Sequence, residues 1–221
     1  MNRYGFSNIK NFKKAVKIIE NSKLNLEGIF THYATTDDYV EKQTDTFKKF
    51  LSCLKNTNFK PIIHADNSAV NLCKNHHFDM VRIGYNLYNN IQKKDGLVIK
   101  INAKITQINY VKNGELIGYD RRFIANKKMK IAVVSVGYAD GFLLDYLGIN
   151  LNVKNKQCKV LNICMDCFML DASKVDIKLG EIVEILGDVN TPNFYANFAN
   201  TSSYQVLTNF SMVRAKKEIK K

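Results

Sequence analysis

The chain has 221 residues, of which 46% are hydrophobic and 24% charged. Such a composition excludes a wholly disordered chain, a collagen and a coiled-coil rod, and the length suits one large domain or two small ones. Its 33 Lys and Arg outnumber 20 Asp and Glu, a net charge of +13. The basic residues lie scattered among Asn and Ile rather than in Arg-rich blocks, which argues against nucleic acid as the main partner and leaves a small anionic ligand in play. No apolar run approaches the ~20 residues of a membrane span. The opening MNRYGFSNIKNFKK has no apolar stretch of the secretory kind. Five cysteines, an odd number, predict reduced thiols and a cytoplasmic setting. Cys164 and Cys167 form a lone C-x-x-C, better read as strand residues than as a metal or redox motif.

In chain order, Ser7 is expected to cap a helix running to about Asn21, with Ile9, Phe12, Val16 and Ile19 on one face. Leu26 to Tyr33 reads as a strand. Asp37 or Asp38 opens a second helix with Phe47, Phe50, Leu51 and Leu54 as its apolar stripe. Pro61 to Ala65 is a strand, Asn67 to Lys74 a short helix, and Asp79 to Ile83 another strand. This βαβα order implies parallel strands with helices outside. Beyond about residue 95 the pattern turns to alternating strands: Val98 to Val111, then an Asn113-Gly114 hairpin turn, Lys130 to Val136, Gln157 to Asn162, Phe168 to Asp171 and Gly180 to Leu186, with a turn at Gly187-Asp188. The basic tail Ala215 to Lys221 is expected to be solvated. The expected domains are therefore 1–94, α/β, and 95–221, an antiparallel β domain. A closed β/α barrel takes ~30 residues per unit, so the first 94 residues hold about three units, which makes this half either an unusual open sheet or the back part of something longer.

Residues with chemistry cluster at strand ends. His32 lies in GIFTHYATTDD, Asn67 and Ser68 in HADNSAV, and Arg82, Gly84 and Tyr85 in VRIGYNLYN. Ligands of parallel α/β folds bind at the C-terminal ends of strands. Taken alone, Asn67-Ser68 is most simply a helix cap, but Ser68 at a helix start together with the amides after Gly84 suits a phosphate. In the β half, SVGYADGF sets Tyr138 between glycines, and Cys164-Met165-Asp166 forms a compact turn whose amides suit a carboxylate. Tyr204, in TSSYQVL, is either a phosphate donor or a packed ring.

The stretches GIFTHYATTDD, HADNSAV, VRIGYNLYN, SVGYADGF and NICMDCFMLD fall in the order found in alanine racemases, and GYADG followed by CMD is specific. MNRYGF resembles that family's arginine-bearing segment, and GELIGYDRRFIA its β-domain hairpin. The resemblance implies an α/β barrel followed by a β domain, pyridoxal 5′-phosphate (PLP) as cofactor, a head-to-tail homodimer, and interconversion of L- and D-alanine by two bases, supplying D-alanine for peptidoglycan. It implies no metal, nucleic acid or membrane partner. By resemblance, Tyr138 moves the α-proton and serves the neighbouring subunit. Arg82 faces the pyridine nitrogen, and His32 supports the tyrosine near the cofactor ring. Asn67, Ser68, Gly84, Tyr85 and Tyr204 hold the cofactor, and Arg3 and Met165 meet the substrate carboxylate. The family's lysine stretch V-x-K-A-N-x-Y-G-H-G is absent, so the chain is expected to be a C-terminal part lacking the first half of the barrel, inactive alone. Cys167, Asp120 and Leu144 replace the usual glutamine, glycine and arginine. A serine or broad-specificity racemase, a subunit of a split enzyme and a non-catalytic remnant are the alternatives.

Overall fold

A computed structural model describes residues 1–73, 77–88, 98–210 and 215–218, with the backbone alone at 71–73. The chain divides into two compact units, Met1–Tyr88 and Asn89–Lys221.

In the first unit, α1 (Ile9–Glu20) buries Phe12 and Val16, one helical turn apart. Its cap is Asn8 rather than the expected Ser7: Asn8 Oδ1 accepts the Asn11 amide at 2.8 Å. The first strand is shorter than its apolar run, with β1 confined to Gly28–Phe30. Next, α2 (Tyr39–Leu51) follows Asp38, and Asp37 Oδ1 accepts the Tyr39 amide at 2.9 Å. It turns Val40, Thr44 and Phe47 inward. Thr44 fits this apolar face because its hydroxyl donates to Val40 O and accepts from the buried Tyr33.

β2 (Ile62–His64) pairs in parallel with β1, Phe30 opposite His64. The expected strand at Asp79 to Ile83 reduces to one parallel bridge, Met80 to His64, because Asp79 caps β2 instead. Asp79 Oδ2 accepts the Ile63 amide at 2.7 Å, and the Asp79 amide donates to Ile63 O. Two short helices complete the unit, α3 (Ser68–Cys73) and α4 (Tyr85–Tyr88); the expected helix end at Lys74 lies outside the described residues. The core is two apolar clusters, one around Tyr33, Val40, Phe47, Ala65 and Val70, the other around Phe12, Val16 and Leu54.

The second unit is built on a six-stranded antiparallel sheet. Its strands are β3 (Ile101–Val111), β6 (Met129–Val134), β7 (Asn150–Val153), β8 (Lys156–Ile163), β9 (Phe168–Asp171) and β10 (Ile182–Leu186), in the order β10-β3-β6-β9-β8-β7. A separate pair, β4 (Leu116–Ile117) and β5 (Phe123–Ile124), interrupts the path from β3 to β6. The Asn113-Gly114 turn therefore does not close a hairpin onto β3, whose partners are β6 and β10. Only Gly114 of that dipeptide has positive φ. A two-residue turn with both φ values positive occurs instead at Lys154 and Asn155, joining β7 to β8. Two helices, α5 (Pro192–Phe198) and α6 (Ser203–Asn209), were not expected in this half. Thr191 and Ser202 cap them, accepting the amides of Phe194 and Gln205. They seat Tyr195, Ala196 and Val206 in the main core, where Phe142 stacks on Phe168 at 4.5 Å. Residues 215–218 are exposed; the remainder of the basic tail lies outside the described residues.

GYADG is a piece of folding geometry before it is anything else. Gly137 lies so near the β8–β9 turn that a Cβ would meet Cys164 O and Met165 O at 2.4 Å. At Gly141, φ is +97° and a Cβ would meet Asn209 O at 2.1 Å. Between them, buried Asp140 turns back and accepts the Gly137 amide at 2.9 Å. Gly148 also has positive φ, +86°, but its Cβ would find only Lys159 Cε at 3.8 Å. Gly141→Ala is therefore expected to cost more than about 2 kcal/mol and Gly148→Ala about 1 kcal/mol, measured by urea unfolding of the full chain. Equal losses would show that the contact with α6 carries no weight.

Candidate active site

In the first unit the geometry centres on Arg82. It follows the Met80 bridge, and its amide donates to Asp66 O at 3.0 Å, which ties it to the end of β2. Its guanidinium then crosses the C-terminal ends of both strands. Nη2 donates to Thr31 O at 3.0 Å, Ala65 O at 3.0 Å and His32 Nδ1 at 3.2 Å. Nη1 donates to His64 Nδ1. Phe30 lies under the cation at 5.2 Å and stacks on His64 at the same separation.

These contacts fix the protonation pattern. A guanidinium only donates, so both Nδ1 atoms accept and the imidazoles are neutral, with hydrogen on Nε2. Burial pushes the His32 pKa down, helped by the charges of Arg82 and Arg3; burial and Arg82 do the same to His64. Burial also lowers the Arg82 pKa from its very high ordinary value, while the negative charge of Asp66 opposes that shift. The Asp66 side chain is fully enclosed; Oδ2 meets His77 Nδ1 at 2.7 Å and Oδ1 has no hydrogen-bond partner.

Beside this cluster, Asn67 is the true cap of α3: its Oδ1 accepts the amides of Ala69 and Val70, both at 3.1 Å, and its Nδ2 donates to Tyr33 O at 3.4 Å. Ser68 is buried and accepts the Gly84 amide at 2.8 Å, while Asn86 Nδ2 donates to Ser68 O at 2.9 Å. That places Ser68, Gly84 and the start of α4 at Tyr85 side by side. A serine hydroxyl that accepts an amide, as Ser68 accepts that of Gly84, still has its own hydrogen to donate. Arg3 is exposed, its guanidinium 5.8 Å from the Tyr4 ring.

In the second unit, Tyr138 lines a recess of about 290 Å³ with Tyr119, Asp120, Arg122, Leu144, Asn162, Ile163 and Cys164. The recess is assembled through main-chain bonds. The amides of Tyr138 and Ala139 donate to Cys164 O and Met165 O, both at 3.0 Å, so Tyr138 and the exposed Met165 are neighbours. A register shift between Val160 and Asn162 in β8 accompanies an inward-turned Asn162. Its Nδ2 donates to Ile117 O at 3.2 Å and Tyr119 O at 2.9 Å, pinning the segment that carries Tyr119. Asp120 and Arg122 form an ion pair at 3.2 Å, with Asp120 and Arg121 both at positive φ. Tyr204 lies on α6 and is not among the residues lining this recess.

Two members of these sites escaped sequence reasoning. His64 sat inside a quoted motif, and its place at the end of β2, matching His32 after β1, was the available signal. Tyr119 gave none beyond its neighbouring arginines. Among the described residues no cluster of three or more His, Cys, Asp or Glu side chains could hold a metal ion, and no helix is long and apolar enough to cross a membrane.

The comparisons agree with this layout. The family model for the alanine racemase N-terminal domain matches residues 1–90, and that for the alanine racemase C-terminal domain matches residues 98–218. Residues of both family domains are thus present. The alanine racemase of Staphylococcus epidermidis is 32% identical, over 96% of this chain and 59% of its own length. The crystal structure of alanine racemase from Bacillus anthracis with bound L-Ala-P superposes with a TM-score of 0.85 at 30% identity, over 96% of this chain and 60% of that one. The alanine racemase from Bartonella henselae, described with covalently bound pyridoxal phosphate, shares the fold, with a TM-score of 0.81 at 24% identity over 96% of this chain and 62% of that one. The chain spans about three-fifths of the length of the relatives it matches. The chain belongs to the alanine racemase family.

Proposed function

We propose that this chain contributes the cofactor cradle and the β domain of a PLP-dependent alanine racemase, an isomerase that interconverts L- and D-alanine and supplies D-alanine for the cell wall. The observation that carries this reading is Arg82, a permanent cation fixed among neutral acceptors at the ends of parallel strands.

The residues fit the cofactor. Arg82 spends Nη2 on two carbonyls and a histidine and one Nη1 hydrogen on the other histidine, so Nε and a second Nη1 hydrogen remain to meet an acceptor nitrogen. The Ser68 hydroxyl, with Gly84 and the start of α4 at Tyr85 beside it, suits the phosphate; Asn67 acts by capping the helix that carries Ser68, and Tyr204 is a further phosphate donor. PLP, when bound, draws electrons from the substrate α-carbon and so loosens its proton. Arg82, always charged, keeps the ring nitrogen unprotonated, which restrains that withdrawal and disfavours transamination. His32 and His64, held neutral, keep further positive charge away from the ring. Arg3 and Met165 are assigned to the substrate carboxylate.

A phenol moves the α-proton on one face, delivered in a dimer to the neighbouring subunit's site. The sequence reading gave this role to Tyr138; Tyr119 shares the recess. Both rings are partly exposed, Tyr119 71% and Tyr138 41%, and Tyr138 keeps the role, with Tyr119 a neighbour in the recess. The opposing base is a Schiff-base lysine. None of the 221 residues forms the V-x-K-A-N-x-Y-G-H-G stretch, so in this proposal the lysine comes from the portion of the relatives' length that the match does not span, on this polypeptide or a second one. A cytoplasmic location follows from the proposed reaction.

Three outcomes test this reading. PLP titrated into the 221-residue chain, followed by absorbance, binds at least tenfold more weakly to Arg82→Ala, and borohydride traps no stoichiometric lysine adduct with turnover; equal binding by both proteins overturns the cradle. In enzyme complemented with the lysine-bearing portion, Tyr138→Phe lowers racemisation about 100-fold or more and Tyr119→Phe less; the reverse order moves the base to Tyr119, and two active variants remove the recess from catalysis. Because His32 and His64 have lowered pKa values when folded, their contribution to stability is complete above the ordinary value of about 6.5 and is lost as pH falls below it. Proton NMR titration of the imidazoles reads this directly; ordinary midpoints for both would contradict it.

A further inference from the structure

The β8–β9 connection holds a pair of thiols that the proposed chemistry does not use. The ladder runs Val160 opposite Leu170, Asn162 opposite Met169 and Ile163 opposite Phe168, so Cys164 and Cys167 are the next facing positions. The Cys164 amide donates to Cys167 O at 2.8 Å. Both are free. Facing residues of an antiparallel pair have Cα atoms about 4.5–5.5 Å apart, inside the range of about 4.4–6.8 Å that a disulfide spans. Access comes from two sides: Cys167 is half-buried, and Cys164, though buried, lines the Tyr138 recess.

We propose that Cys164 and Cys167 form a redox modification site, closing to an intrachain disulfide by exchange with a low-molecular-weight disulfide. The Cys167 thiolate attacks one sulfur of the small disulfide and expels the first small thiolate. The Cys164 thiolate then attacks Cys167 Sγ and expels the second. One S–S bond is made for one broken; the protein pair loses two electrons and two protons, and the small disulfide takes them up as two thiols.

The site is linked to the recess through the main chain. Cys164 O and Met165 O hold the amides of Tyr138 and Ala139, and Gly137 leaves no room between the segments. Drawing the two sulfurs to bonded distance moves the turn that provides those carbonyls. Burial raises the Cys164 thiol, opposed by Cys167 and helped by Asp166, and burial, Cys164 and Asp166 raise the Cys167 thiol to about 12. The charged and titratable groups facing them are Asp166 on the turn and Tyr119, Asp120, Arg122 and Tyr138 around the recess. At neutral pH the pair therefore rests reduced, and closure speeds up with pH because the thiolate is the attacking species.

The test is exposure of the reduced full chain to oxidised glutathione, with peptide mass mapping and backbone hydrogen exchange. The expected product is a peptide bridging positions 164 and 167, two hydrogens lighter than the reduced form and restored by dithiothreitol. Its rate should rise about tenfold per pH unit between pH 7 and 9. Cys164→Ser should trap a glutathione adduct on Cys167, and exchange at the Tyr138 and Ala139 amides should change at least tenfold on closure. Free thiols at both positions while Cys53 is modified would overturn the site, and a bridge that leaves those two amides unaffected would overturn its link to the recess. Neither outcome depends on PLP binding, so the fate of the racemase reading is decided separately.

Discussion

A guanidinium cannot give up its charge, and that constraint organises the first unit. Arg82 has to be satisfied where two short parallel strands end, and it is satisfied by neutral acceptors: two carbonyls and two imidazole nitrogens. The choice of partners matters more than their number. A carboxylate bonded directly to the guanidinium would neutralise the cation, whereas carbonyls and imidazoles leave its field directed outward. The nearby carboxylate, Asp66, is enclosed and bonded to His77 instead. Strand ends, imidazole tautomers and the stacked Phe30 ring all follow from where that charge is held.

The fold was legible wherever apolar spacing and capping chemistry act locally. Phe12 and Val16 announce α1, and Phe47 marks the buried face of α2. Reading failed where partners come from far along the chain. Asn113-Gly114 looks like a hairpin turn, yet β3 is claimed by β6 and β10. The helices α5 and α6 were missed although Thr191-Pro192 and Ser202 carry ordinary start signals, because a run of strands made the context read as all β. Among site residues, His32, Asn67, Ser68 and Arg82 were visible at strand ends. His64 was hidden inside a strand pattern, and Asn162 reaches the Tyr119 carbonyl through a register shift that no periodicity shows.

The β unit separates two meanings of its most distinctive motif. Gly137, Asp140 and Gly141 exist for close approach and turn geometry: one glycine against the Cys164–Met165 carbonyls, one against Asn209, with the aspartate closing the turn between them. Tyr138 is what this geometry presents. Motif specificity in sequence thus reflects steric necessity at three positions and chemistry at one.

The fastening of Tyr138 and Ala139 through carbonyl oxygens has an evolutionary consequence. Every residue type brings the same carbonyl, so the residues at 164 and 165 are free to change in size, polarity or reactivity while the anchorage persists. A different side chain at either position would leave that main-chain link, and the address to which the neighbouring phenol is delivered, in place. Variation is channelled to the lining of the recess while its frame is inherited unaltered.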